Sequence, residues 1–377
     1  MNRKEIAEIR RRFNVDKNAI SRVRGCYVNG KREIVATFDR SMLSLPQEEA
    51  EKYLSLFKRT LSGLPGRNLI EVDFRPDQVM EGEAHGLLMA LNNTALSVDE
   101  GVKALCGRII ESLELEGNYL ILMMHDAYDV PFRHADEHKV DVISEEVFSY
   151  ILVCVCPVRL TKPALSYCAE DNDFHALDPD WVVAAPELGF MFPTFDDRAT
   201  NIYSALYYTR DAADLHEAFI DAVFNADAPM AAPEQREAFQ AVLEDALEDD
   251  LSLGVVQTVH ETLRERLQEN ARDKAAEPLE ISRREVAGLL ASCGVPDARI
   301  QAFEDRYDAE FGETAPLRAA NVVEPKRFEV RTPDVVVQVN PERSDLIETR
   351  VIDGIRYVLI RAEEGVEVNG VNIAIGG

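Results

Sequence analysis

Tyr119-Leu-Ile-Leu-Met-Met-His-Asp126 and Tyr150-Ile-Leu-Val-Cys-Val-Cys156 are the two stretches on which the fold turns. In each, the apolar run is of strand length, well short of the roughly 20 residues that a membrane-spanning helix needs. Apolarity without alternation marks strands buried on both faces, whereas a half-exposed strand alternates. Leu69–Phe74 reads as a third strand, separated from the first two by helical patterns. The expectation is therefore an α/β class, with α+β as the alternative, in which a sheet is covered on both faces.

Outward from these strands, Ser44 and Gln47 make a capping box ahead of a helix carrying Ala50, Tyr53, Leu54, Phe57 and Leu61 on one face. Two more helices are predicted over about 78–96 and 98–115, the second opened by a Ser97/Glu100 box. Asn29-Gly30 predicts a type I′ hairpin between 20–28 and 31–38. Ile6, Ile9 and Phe13 predict a short amphipathic helix over 3–13. Short strands at 182–185 and 189–192 are followed by expected helices at 198–209 and 211–225.

Residues 226–234 read as an Ala- and Pro-rich linker. Beyond it, Val255, Val256, Val259, Leu263 and Leu267 keep a helical stripe, Ser282/Glu285 form a capping box, and Asp297–Phe311 reads as a helix after Gly294. After Pro316 the pattern becomes β-like, with Asp353-Gly354 and Asn369-Gly370 as hairpin turns. The expected organisation is an α/β domain with a basic N-terminal helix over 1–228, an acidic helical segment over 229–320 and a small all-β module over 321–377.

Lys and Arg number 41 against 68 Asp and Glu, a net charge of -27. Such a surface repels phosphate backbones and argues against non-specific nucleic-acid binding by the whole chain. Between 211 and 280 there are 18 acidic and 5 basic residues, a balance of −13. The first 24 residues run the other way, with 8 basic and 3 acidic. Arg10-Arg11-Arg12, Arg22 and Arg24 could contact RNA or the ribosome. With only Phe13 and Tyr27 nearby to stack on bases, docking onto the chain's own acidic segment is favoured. The six cysteines form no Cys-x-x-Cys pair, and no stretch resembles a signal peptide or a span, so a reduced, cytoplasmic protein is expected.

No P-loop, Gly-x-Gly-x-x-Gly fingerprint, Gly-x-Ser-x-Gly elbow or His-Glu-x-x-His pair is present. The catalytic candidates follow the strand at 119–124: His125, Asp126, Tyr128 and Asp129, then Arg133, His134, Asp136, His138 and Asp141. Carboxylates beside imidazole suit a divalent metal or a proton shuttle, and open α/β sheets bind ligands beyond strand ends. A polar surface loop yields the same residues more often. Asp196 and Asp197 could join that cluster, with Asp126 and Asp197 as metal ligands, or could instead cap a helix beginning near Arg198. Phe190, Phe192 and Phe195 read as core before they read as a substrate platform. Cys154 and Cys156, on one face of a strand, could make a thiolate site with Cys168, but without Cys-x-x-Cys knuckles they read as buried structural thiols.

Ile20–Asn29, Asp126-Ala-Tyr-Asp-Val-Pro131, Cys156-Pro-Val158, Gly189–Arg198 and Val366-Glu-Val-Asn-Gly-Val371 together resemble an uncharacterised bacterial family known only as a domain of unknown function. The resemblance covers nearly the whole chain and implies a cytoplasmic bacterial protein, with no activity, cofactor or catalytic residue attached. Two functions follow from the residues. The first is a binding or regulatory protein that presents its acidic helices or its C-terminal β module to a protein partner. The alternative is a metal-dependent hydrolase or nucleotide-acting enzyme using His125, Asp126, Asp129, Asp196 and Asp197.

Overall fold

The computed structural model describes residues 1–377 except 18, 21, 132–146, 274–275, 314, 363–364 and 375–377. The chain forms two compact units, Met1–Ala232 with Lys274–Glu277, and Pro233–Asp273 with Pro278–Gly377.

The first unit runs α1 (Arg3–Arg10), β1 (Arg22–Val28), β2 (Ile34–Ser41), α2 (Gln47–Thr60), β3 (Leu69–Asp73), α3 (Pro76–Glu81), α4 (Glu83–Asn93), α5 (Asp99–Ser112), β4 (Asn118–Asp129) and β5 (Val147–Leu160). It continues through β6 (Ala164–Cys168), β7 (Asp173–Leu177), β8 (Trp181–Val183), β9 (Leu188–Phe192), β10 (Thr194–Asp196), β11 (Ala199–Asn201), β12 (Ser204–Thr209) and α6 (Glu217–Phe224). The main sheet has the order β2-β1-β4-β5-β9-β12-β3, with β8 added alongside β5. Its strand pairs are antiparallel. The fold is mixed α/β.

Both faces of this sheet are covered. On β4, Tyr119, Ile121 and Met123 join one cluster with α4, α5 and α6, while Leu120, Leu122 and Met124 join another with α1 and α2. On β5 the split is Ile151, Val153 and Val155 against Tyr150, Leu152, Cys154 and Cys156. Period-two alternation thus persists in space although every position is apolar, as a doubly covered strand requires.

Several local expectations are corrected. Residues 198–209 form β11 and β12, with no helix. Asp197 and Arg198 take φ of 47° and 63° and so make the two-residue turn between β10 and β11. Ser204–Thr209 is buried along its whole length between β9 and β3, a position that strand geometry fills. The expected helix at 211–225 begins only at Glu217. The Asn29-Gly30 hairpin forms with a wider loop: Asn29 N donates to Glu33 O at 3.0 Å, and Arg32 takes the positive φ. Neither Ser44 nor Ser97 caps a helix, since α2 and α5 start after Pro46 and Val98.

The second unit holds α7 (Ala232–Leu247), α8 (Leu253–Arg272), β13 (Glu280–Ile281), α9 (Arg283–Ser292), α10 (Asp297–Phe311), β14 (Leu317–Arg318) and α11 (Ala319–Val322). Val255, Val259 and Leu263 of α8 pack with Phe239, Val286, Leu290, Phe303 and Tyr307 in one core. The Ser282/Glu285 box forms as expected. Beyond it come β15 (Phe328–Arg331), β16 (Val336–Val339), β17 (Ile347–Ile352), β18 (Ile355–Ile360), β19 (Val366–Val368) and β20 (Val371–Ile373). Among the described residues these strands pair as three separate hairpins. Asp353-Gly354 and Asn369-Gly370 take the positive φ angles that their turns require.

Candidate functional site

Helix α1 is tied to one face of the sheet by a row of polar side chains. Asn2 caps it, and Glu5 completes the box by accepting from Asn2 N at 2.9 Å. Two residues past the helix end, Arg12 forks onto Asp126, with Nε to Oδ2 at 2.7 Å and Nη2 to Oδ1 at 2.9 Å. The Tyr150 hydroxyl donates to Oδ2 at 2.9 Å, and Ala19 N donates to Oδ1 at 3.1 Å. Each oxygen of this fully buried carboxylate accordingly accepts two hydrogen bonds. An ionised carboxylate offers about four lone-pair sites, so none is left for a metal or a transferred proton.

The row continues along the helix. The Arg12 guanidinium lies 4.5 Å from the centre of the Tyr128 ring, and the Tyr128 hydroxyl donates to Glu8 at 2.6 Å. Arg198 bridges Glu8 at 3.1 Å and reaches Pro131 O at 3.0 Å. Burial opposes the charge on Arg12, but the Asp126 hydrogen bonds and charge outweigh it and hold its pKa above the usual value. Burial, with help from the negative Asp126, pushes the Tyr150 phenol well up, and burial with the Glu8 contact pushes Tyr128 to about 12. Both phenols remain neutral donors at physiological pH.

His125 faces the opposite side of the sheet from Asp126. Its Nε2 lies 2.8 Å from Ser149 Oγ, which donates to Asn92 Oδ1 at 3.3 Å. Burial lowers its pKa against the pull of the Asp126 charge, so the ring is neutral. Asp129 is exposed at the end of β4. Asp196 ends β10 and Asp197 opens the turn to β11, where no helix exists for them to cap. There they meet Glu5: one carboxylate oxygen from each of the three lies within 4.8 Å of the others. Asp196 Oδ1 is also 3.8 Å from the Met1 amino group, whose first partner is Glu71.

The structure thus gathers Asp196, Asp197 and Glu5 at the start of α1 and places Asp126 at the other end of that helix, against Arg12. His125 and Asp129 join neither group. Glu5 was missed, although the Asn2-x-x-Glu5 capping spacing was visible. The partner of Arg12 is Asp126, while Arg22 and Arg24 pair with Asp39 and Asp99. Those partners lie in the first unit, outside the acidic stretch. Phe190, Phe192 and Phe195 are core, and Cys154 and Cys156 are buried with sulfurs 3.8 Å apart. Arg133, His134, Asp136, His138 and Asp141 lie outside the described residues.

Fold and site together define a mixed α/β protein with a two-faced antiparallel sheet and an N-terminal helix locked to it by a saturated buried ion pair. The chain belongs to the family described as Domain of unknown function (DUF4317), whose model matches residues 1–371. No curated protein matches it. No helix among the described residues is long and apolar enough to cross a membrane.

Proposed function

We propose that this is a non-catalytic binding protein of the bacterial cytoplasm that engages a protein partner through its C-terminal hairpins. The observation that carries the reading is the β17–β18 ribbon. Cross-strand partners share a face, and the register puts Val351, Val358 and Ile360 on one side and Ile352, Ile355 and Tyr357 on the other. All six are at least 40% exposed. A two-stranded ribbon is marginal in water by itself, and apolar side chains on both faces suit a surface completed by another polypeptide. With a net charge of -27, the fitting partner has a basic border around an apolar patch. The internal pairing of Arg12, Arg22 and Arg24 supports a protein partner over RNA or the ribosome. Six free cysteines support a reducing compartment.

The test is affinity capture with the full chain beside a Val351→Thr/Ile355→Thr/Ile360→Thr variant. A stoichiometric, basic partner retained by the first and lost by the second is the expected result. Self-association that the variant abolishes, seen by sedimentation, would overturn it in favour of a second copy. An enzyme is the second reading, favoured by the convergence of Glu5, Asp196 and Asp197. In that case Mn²⁺ or Zn²⁺ raises the melting temperature of wild type and not of Asp196→Ala. Asp126, with its lone pairs filled, would then hold α1 in place.

A further inference from the structure

Cys26 and Cys106 lie 80 residues apart in the chain, on β1 and α5, and their sulfurs stand 3.4 Å from each other in the core between that helix and the sheet. Neither has a role in the row of contacts along α1. From this juxtaposition we infer that Cys26 and Cys106 form a reversible dithiol–disulfide site, oxidised by a hydroperoxide.

Closing the gap to a bond of about 2.0 Å takes a shift of little more than 1 Å, shared between two side chains on separate elements. The contrast with the other close pair is informative. Cys154 and Cys156 are 3.8 Å apart, but they are two positions apart on one strand and point the same way. Their Cα spacing, nearly 7 Å in an extended strand, sits at the upper limit for a disulfide.

The two pairs also differ in charge environment. The hydrogen bond from Cys26 to Cys106, aided by the Arg24 guanidinium, lowers the Cys106 pKa despite burial, while Cys26 is raised as the donor. Arg24 is held in place by Leu96 O at 2.8 Å and by Asp99. Burial instead raises Cys154 well above the thiol range. Cys106, on the outer helix and the less completely enclosed of the two, is the sulfur that a peroxide meets first, so it is the attacking sulfur and Cys26 the resolving one.

The step balances as follows. The Cys106 thiolate attacks one peroxide oxygen, the O–O bond breaks, and hydroxide leaves, giving a sulfenic acid on Cys106. The Cys26 sulfur then attacks the Cys106 sulfur, the S–O bond breaks, and the thiol proton leaves with the departing oxygen as water. In sum, two thiols and one hydrogen peroxide give one disulfide and two waters. A small thiol such as glutathione, or a dithiol reductant, reverses it.

The experiment uses the full native chain. It is titrated with hydrogen peroxide, quenched with N-ethylmaleimide under denaturing conditions, and digested for mass spectrometry. The expected product is a Cys26–Cys106 linked peptide, 2 Da lighter than its reduced parts and cleaved by dithiothreitol. It should appear about tenfold or more faster than any modification of Cys154 or Cys156. In Cys26→Ser the sulfenic acid on Cys106 persists and is trapped by dimedone. Full alkylation of Cys26 and Cys106 while other cysteines oxidise would overturn the inference. So would a linked peptide that forms only in urea. Both outcomes are read on wild type, so the result stands even if the Cys26→Ser chain fails to fold.

Discussion

Asp126 was legible as an unusual residue, an acid at the end of an apolar strand, but its meaning lay 114 positions away in Arg12. Nothing in the local pattern separates an acid that waits for a metal from one already saturated by a guanidinium, a phenol and an amide. The distinction has a measurable consequence. Arg12→Ala leaves the carboxylate buried and short of two donors, and should cost about 3–5 kcal/mol in urea denaturation. Arg22→Ala, which removes a half-exposed partner of Asp39, should cost at most about 1 kcal/mol. Arg12→Met with Asp126→Leu should be milder than Arg12→Ala alone, because no unpaired charge remains. The neighbour on the other face makes a pH prediction. The folded state lowers the His125 pKa below 6.5, so between that value and the folded pKa the unfolded chain binds the extra proton. Its contribution to stability is complete above pH 6.5 and declines as pH falls through this window. Urea midpoints measured from pH 7.5 downwards should show that decline in wild type. It should flatten in His125→Gln, which keeps a hydrogen-bonding partner for Ser149.

At the scale of elements, the sequence reading succeeded where burial and periodicity agree and failed where they part. Asp297–Phe311 and the β17–β18 and β19–β20 hairpins came out as expected because apolar spacing and turn glycines point one way. Residues 198–209 did not, since Tyr203, Leu206 and Tyr207 satisfy a helical spacing equally well. The decision falls to the left-handed turn at Asp197-Arg198, which carries no glycine to announce it. Close approach of elements is equally hidden in sequence, and two glycines with opposite surroundings test it. A Cβ at Gly189 would collide with Val153 O and sit 2.6 Å from Thr60 Cγ2, where β9 meets β5 and α2. Gly189→Ala should therefore destabilise by about 1–3 kcal/mol. Gly86, on α4, has nothing within 4 Å of the same added atom. Gly86→Ala should stabilise by up to about 1 kcal/mol, through helix propensity and a less flexible unfolded chain. Thermal or urea unfolding of the two single variants reads the difference in sign.

For the molecule as a whole, the covered sheet was readable from two apolar runs because only burial on both faces tolerates them. Strand order and antiparallel sense were not, since pairing partners are chosen by long-range packing that one strand's composition does not encode. That sense matters for function: an antiparallel sheet has no common carboxyl edge at which ligand groups collect, and His125 and Asp126 are instead divided between its faces. The partner surface we propose is the C-terminal ribbon, and its stability can be separated from its binding. Val351, Ile355 and Ile360 are 58–69% exposed. Replacing all three by Thr, which keeps β-branching, should change unfolding stability by no more than about 0.5 kcal/mol per site. A larger loss in the isolated chain, growing with protein concentration in the wild type, would mean that a second copy already covers these faces. Unchanged stability together with lost partner capture is the pattern that a surface reserved for another protein produces.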